Sequence, residues 1–263
     1  MSIKTHIDNW ISKAELDYYT MFIKAWIPLN AWYFAEYSTK KDGEALEKIR
    51  NTKNKVRNKI ESLLINNDIP AKNFKKHLSD LHIELESRSV MNYGKLVSFK
   101  AVIIDGIYPA PVTDNDKKGN IYKAIPNKTT GYKAIIVDKS GKSLMDKTFN
   151  PFNYDALIID NQYISLPNEK MREKIRTCFK EIDPNKPVSL LTKSRLKGDY
   201  LELDADSKVR FINDTELIAK ATLQILYALR CILFHGELDP TEANHAIYEH
   251  AYHILKPIIK ELK

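Results

Sequence analysis

Cysteine and glycine are both scarce in this chain of 263 residues. The two cysteines, Cys178 and Cys231, lie far apart in the sequence, which excludes a disulfide framework and a paired CxxC metal motif. There are only 8 glycines, and none of them forms the glycine-rich loop that cradles phosphates in nucleotide-binding proteins.

Long apolar runs are missing as well. No uninterrupted run approaches the roughly 20 residues that a membrane-spanning helix needs. The first residues, MSIKTHIDNW, lack the charged and then apolar pattern of a signal peptide. We therefore expect a cytoplasmic protein with no membrane partner.

Charge is abundant and unbalanced. Charged residues make up 29% of the chain and hydrophobic residues 43%, a composition typical of a globular domain. Lys and Arg number 41 against 34 Asp and Glu, which gives a net charge of +7. This excess favours a polyanionic partner, either a nucleic acid or an acidic protein, although a basic surface without a partner has the same composition.

The beginning of the chain is predicted to be helical. Residues 8–37 are dense in large apolar and aromatic residues, with a kink or break expected near Pro28 because proline removes a backbone donor. Residues 44–66 carry one apolar stripe at helical spacing, and residues 71–90 form a further predicted helix.

From about residue 95 the pattern changes to β-branched and aromatic residues. Ser140 and Gly141 split residues 132–149 into a predicted hairpin, and residues 198–214 form another. The sequence predicts a loop at 109–120, allows a strand at 154–160, and predicts a helix at 166–182 with Ser165 as its cap.

The chain ends with two predicted helices. The first covers residues 214–236, with Gly236 at its C-terminal end. The second follows Asp239, a residue suited to an N-cap, and Pro240, which fits the first helical position. The order predicts an α+β fold: a helical bundle formed by residues 1–92 and 211–263, with a mixed α/β segment inserted at 93–210.

A basic flank of the predicted helix 44–66 is the first candidate binding surface. Arg50, Lys53 and Arg57 lie along one side of its apolar stripe. These side chains could follow the phosphates of an RNA backbone. Long basic side chains equally cover the solvated face of an ordinary amphipathic helix.

The stretch RCILFHG, residues 230–236, carries the main candidate catalytic pair. Five helical steps place Arg230 and His235 about 140° apart, so they meet at one substrate only if the guanidinium swings over or a second copy faces the first. An arginine fork binds phosphate oxygens, and a histidine transfers protons near neutral pH. The pair therefore suits metal-free RNA cleavage, in which the ribose 2′-hydroxyl is the nucleophile.

Ordinary structural roles are available to the same two residues. A histidine at a helix C-terminus is favoured by the helix dipole, and a half-buried arginine commonly pairs with a carboxylate. Spacing alone does not separate these roles from catalysis.

RCILFHG resembles the R-x-x-x-x-H signature of HEPN domains. FIKAWIPLNAWY, residues 22–33, is similar to the first-helix pattern of part of that superfamily, and AIYEHAYHILKPII is similar to its last helix. The resemblance covers about residues 10–65 and 214–260. It implies a metal-independent endoribonuclease, usually a dimer, in which Arg230 binds the scissile phosphate and His235 is the acid–base group. Family members serve in toxin–antitoxin, abortive-infection and CRISPR-associated defence.

Two positions depart from the family pattern. The residue after the arginine is often Asn, Asp or His, but here it is Cys231, which puts full activity in doubt. Some members carry a tyrosine two residues after the histidine, where a nucleotidyltransferase antitoxin modifies it. This chain has Glu237 there, so regulation by that route is not expected, although another antitoxin or regulatory protein remains a possible partner.

Three further residues are candidate supports of the site: Asn30, Cys231 and Tyr227. A buried Asn30 would need a hydrogen-bond partner, and it would either orient Arg230 or His235 or stabilise the region of Pro28. No metal or other cofactor is expected, because His250 and His253 lack a third ligand at suitable spacing, while His77 and His82 are predicted to be surface residues.

Two other classes of function remain open. A catalytically inactive HEPN-like module would bind RNA or a protein without cutting. A regulatory protein would use the inserted segment as a nucleotide sensor.

Overall fold

The computed structural model describes residues 17–104, 109–204 and 206–263, without the side chains of Glu242 and Ala243. Helices and antiparallel sheets are both present, so the mixed α+β class is confirmed. The chain divides into two compact units, one from residues 1–104 and 187–263 and one from residues 105–186. The inserted unit is thus shorter at both ends than the predicted 93–210.

The described part of the larger unit begins with four helices: α1 (Tyr18–Tyr37), α2 (Asp42–Asn51), α3 (Lys55–Ile65) and α4 (Ile69–Arg88). A kink or a break was predicted near Pro28; the backbone of α1 stays helical through this residue, which excludes the break. Residues 8–16 of the predicted helix lie outside the described residues, and Asp17 caps α1. A short hairpin follows, with β1 (Met91–Asn92) and β2 (Lys95–Leu96).

The predicted single helix at 44–66 is in fact two. It is interrupted after Asn51, and Asn54 caps α3 by accepting a hydrogen bond from the backbone N–H of Arg57 at 3.0 Å. A side-chain acceptor at this position starts a new helix because it satisfies an N–H that has no partner in the first turn. The break turns the apolar stripe into two shorter buried faces.

The smaller unit is a four-stranded antiparallel sheet with strands in chain order. The strands are β3 (Val112–Asn115), β4 (Ile121–Asn127), β5 (Gly131–Val137) and β6 (Ser143–Phe149). The predicted hairpin at 132–149 is confirmed. The loop prediction at 109–120 is wrong because β3 lies within it.

Three helices follow the sheet: α5 (Tyr154–Ile158), α6 (Asn161–Ile164) and α7 (Glu169–Glu181). The possible strand at 154–160 is therefore helical. Asn168, rather than Ser165, caps α7. Helix α7 packs on strands β3 to β5, and its Ile175 and Phe179 are fully buried in the core of this unit.

The chain then returns to the larger unit. The hairpin of β7 (Tyr200–Glu202) and β8 (Arg210–Ile212) is confirmed. Helix α8 (Thr215–His235) ends at Gly236, whose φ of 65° is left-handed, as the sequence predicts. Helix α9 (Glu242–Lys260) is capped by Thr241, so the assignment of Asp239 as the cap is wrong.

Helix α8 packs on α1, α2, α3 and β1. By length and composition it is the one helix in the described chain that could cross a membrane. Most of its residues are buried, however, including fully buried Ile218, Leu226, Leu229 and Ile232. Burial of nearly all of its faces is the property of a core helix in a bundle.

Candidate active site at the end of helix α8

Arg230 is held by a carboxylate from the start of another helix. Its Nη2 lies 2.9 Å from Oδ2 of Asp42, and each side chain is 20% exposed. On the same helix, the Phe234 ring lies under the guanidinium, 4.5 Å from Cζ to the ring centroid. The guanidinium is therefore fixed by an ion pair on one side and by an aromatic face on the other.

Asp42 belongs to a small polar cluster that includes helix α1. Its Oδ1 accepts hydrogen bonds from the Tyr33 hydroxyl at 2.8 Å and from Nδ2 of Asn30 at 3.2 Å. Asn30 also donates to the Tyr33 hydroxyl oxygen. Burial, together with the hydrogen bond to Asp42, raises the pKa of Tyr33 well above its ordinary value. The cluster is thus a chain of contacts from Asn30 to Arg230.

His235 is the last residue of α8 and is exposed. The Tyr93 ring, at the tip of the β1–β2 hairpin, lies 5.6 Å from its ring between centroids. The backbone N–H of Tyr93 donates to Oε2 of Glu237 at 3.1 Å, which fastens the hairpin tip beside the helix end. Tyr93 is therefore a direct neighbour of His235, one member of the candidate pair.

The predicted supporting residues differ in position. Tyr227 stacks on Trp26 with 6.3 Å between ring centroids. Burial raises its pKa to about 12, with Cys231 and Asp42 as further causes. Cys231 is buried at 6% exposure, so its thiol faces the helix packing next to Tyr227. Asn30 contacts Asp42, the partner of Arg230, and not Arg230 directly.

Two of the three predicted RNA-binding residues are inaccessible. Arg50 is 2% exposed and Arg57 5%. The Arg57 guanidinium donates to the backbone oxygen of Arg50 at 2.9 Å and pairs with Glu61 at 2.8 Å and Glu216 at 3.2 Å. The Arg57 side chain thus bridges the α2–α3 break, and of the three predicted residues only Lys53 is exposed. Helical spacing alone could not reveal this because the break rotates α3 away from α2.

Another group of cationic side chains is exposed on helices α1 and α9. Lys24, Lys256 and Lys260 are exposed and line a surface cavity of about 380 Å³ with Met21 and Tyr252. The Lys256 ammonium lies 5.4 Å from the Tyr252 ring centroid. This cavity combines positive charge with an aromatic face, two features used to bind nucleic-acid strands.

Asp42 and Tyr93 are the site residues that the sequence did not single out. Asp42 reads as part of a turn next to Gly43, and it lies 188 positions before Arg230. A Tyr–Gly pair between two short strands is a hairpin signal, but it carries no information on what the hairpin contacts. Comparisons with protein-family models, curated proteins and solved structures found no match to this chain.

Proposed function

We propose that this protein is a metal-independent endoribonuclease with a HEPN-like bundle. In this proposal it works in the cytoplasm, in toxin or abortive-infection defence, and an antitoxin or other regulatory protein controls it. The observation that carries the proposal is that a held, partly exposed Arg230 and an exposed His235 lie five residues apart at the end of one helix, with the Tyr93 ring beside His235.

The chemistry divides between the two residues. His235 removes the proton from the ribose 2′-hydroxyl or supplies one to the leaving 5′-oxygen. Arg230 stabilises the charge that develops on the phosphate oxygens as the 2′-oxygen attacks phosphorus. The reaction leaves a 2′,3′-cyclic phosphate, or a 3′-phosphate after its hydrolysis.

A second copy of the chain completes the site in this proposal. Apolar side chains surround the helix end while remaining exposed: Phe234 at 55%, Tyr93 at 65%, Met91 at 45% and Leu96 at 45%. A cluster of exposed apolar side chains beside polar groups is typical of an interaction surface. Two facing copies would bring the diverging Arg230 and His235 of both chains to one phosphodiester.

The negative charge of Asp42 opposes the binding of a phosphate at Arg230. Its charge neutralises Arg230 in the free protein and repels a phosphate nearby. RNA affinity must then come from other cations, for which Lys24, Lys256 and Lys260 are the candidates. Asp42 would keep the guanidinium oriented until a bound phosphate competes for it.

The test uses RNA and its 2′-deoxy analogue in EDTA. We expect the protein to cut single-stranded RNA and to leave cyclic or 3′-phosphate ends. An oligonucleotide with 2′-deoxyribose at every position should stay intact, because it lacks the nucleophile. Equal cutting of both substrates, or activity only when a divalent metal is added, would contradict the proposal.

A module that binds RNA or a protein without cutting is the second candidate. Two observations favour it: the Arg230–Asp42 ion pair satisfies the guanidinium within the chain, and the position after the arginine is a buried cysteine. RNA binding without cleavage, unchanged by His235→Ala, would support this candidate.

A further inference from the structure

Three potential metal ligands meet between helices α4 and α9. His77 and Asp80 are three residues apart on α4, and His250 comes from α9. The ligand atoms of the three lie within 4.8 Å of one another, and all three side chains are partly buried. The prediction that His77 is a simple surface residue is wrong, and so is the same prediction for His82, which is buried at 6% exposure against Phe99 and Phe211.

The two imidazoles point the same ring atom at each other. Nδ1 of His77 lies 3.1 Å from Nδ1 of His250. Two nitrogens bound to one tetrahedral Zn²⁺ at about 2.0–2.1 Å lie about 3.3 Å apart. The spacing therefore fits two ligands of one ion, and it also fits a single hydrogen bond shared between neutral rings.

We propose that His77, Asp80 and His250 bind one divalent transition-metal ion of the Zn²⁺ type. Two imidazoles and a carboxylate form a ligand set that suits zinc, whereas Mg²⁺ and Ca²⁺ prefer oxygen ligands alone. The fourth position would be filled by water or an exogenous ligand. The ion would join α4 to α9, at a place separate from the Arg230–His235 pair and not used by the proposed nuclease.

The His77 ring is also held in place by a neighbouring imidazole. The His253 ring stacks on His77 with 4.4 Å between centroids and 6° between planes, which fixes the orientation of the His77 ring.

One cation competes for the site. Nζ of Lys76 lies 3.1 Å from Oδ2 of Asp80, and its side chain is 59% exposed. An exposed lysine gains little from such a pair, so it can leave when a doubly charged ion arrives.

The test is a titration of the full-length, metal-stripped protein with Co²⁺ and Zn²⁺. We expect one ion per chain, with the visible absorption of a tetrahedral Co²⁺ complex that Zn²⁺ then removes. Affinity should fall at least about tenfold in His77→Ala, in His250→Ala and in Asp80→Asn. Circular dichroism verifies that each variant is folded. If an alanine variant does not fold, Asp80→Asn still tests the site, because asparagine keeps the shape of the aspartate side chain.

Lys76→Gln is the matched control, because it changes the same helix but removes a competitor instead of a ligand. It should bind as tightly as the wild type or more tightly. The proposal is overturned if the wild type binds neither ion, if the ligand variants bind as well as the wild type, or if Lys76→Gln loses as much affinity as His77→Ala.

Discussion

At the residue scale, the candidate site depends on the contacts of the Asp42 carboxylate. It accepts hydrogen bonds from Tyr33 and Asn30 on one oxygen and pairs with Arg230 on the other. Tyr33 is fully buried, so the loss of Asp42 would leave its hydroxyl proton without this acceptor, away from water. Such a group costs about 1–3 kcal/mol.

Asp42→Ala should therefore lower the free energy of unfolding by about 2 kcal/mol, the sum of a lost acceptor and a lost, partly exposed ion pair. Asp42→Asn should cost less, because its amide oxygen still accepts from Tyr33. Urea unfolding of both variants measures the difference. If the alanine variant is no less stable than the asparagine variant, the polar cluster does not support the fold.

Arg230→Lys separates charge from geometry. A lysine keeps the positive charge and can still approach Asp42, but it lacks the planar fork that binds two phosphate oxygens. We expect RNA cleavage to fall at least about tenfold in Arg230→Lys and further in Arg230→Ala. Wild-type cleavage by Arg230→Lys would show that no bidentate phosphate contact is made.

Some of these contacts could be predicted from the sequence. Asn30 was expected to need a hydrogen-bond partner among apolar residues, and it has one. That the partner would be Asp42 could not be predicted, since the contact depends on the direction of the chain after Ser38, whose φ of 49° ends α1 in a left-handed conformation. Local spacing does not encode such a turn unless it falls on glycine.

At the scale of elements, Gly131 and Gly141 in the sheet both have positive φ angles but different surroundings. Gly131 has φ 104°, and a Cβ there would lie 2.3 Å from the backbone oxygen of Phe149. Gly141 has φ 87°, with no other atom within 4 Å of the same position. Only at Gly131 do steric contacts and backbone conformation both require a glycine.

Gly141→Ala should destabilise the protein by about 1 kcal/mol, the cost of the left-handed conformation alone. Gly131→Ala should cost several times more, because the β5–β6 pairing must also shift. Thermal unfolding of the two variants compares them directly. Equal losses would mean that the backbone of β6 moves freely away from the new methyl group.

Periodicity predicted the elements with uneven success, for identifiable reasons. Strand β4 alternates between half-buried and buried residues, the pattern of a strand with one face in the core, yet no strand was predicted there. The α2–α3 break was missed because the apolar stripe continues across it. Helix α8 was predicted well, since its stripe is long and Gly236 marks its end.

At the scale of the whole molecule, the proposed site requires a dimer. Leu96 is 45% exposed and belongs to the group of exposed apolar side chains around the end of α8. Leu96→Asp places a charge in this group without changing Arg230. We expect the wild type to sediment as a dimer, and Leu96→Asp to sediment as a monomer with little cleavage. Leu196→Asp, at a residue that is 71% exposed, is the control and should remain an active dimer. A wild-type monomer that cuts RNA would contradict the composite site.

The direct measurement of the central claim is the rate of RNA cleavage in EDTA by the wild type and by His235→Ala. His245→Gln, a change at a histidine on a different helix, serves as the control. We predict that the wild type and the control cut at similar rates, and that His235→Ala is slower by about 10²–10⁴-fold, the usual contribution of general acid–base catalysis. Cleavage by His235→Ala at the wild-type rate, or no cleavage by the wild type, would contradict the account.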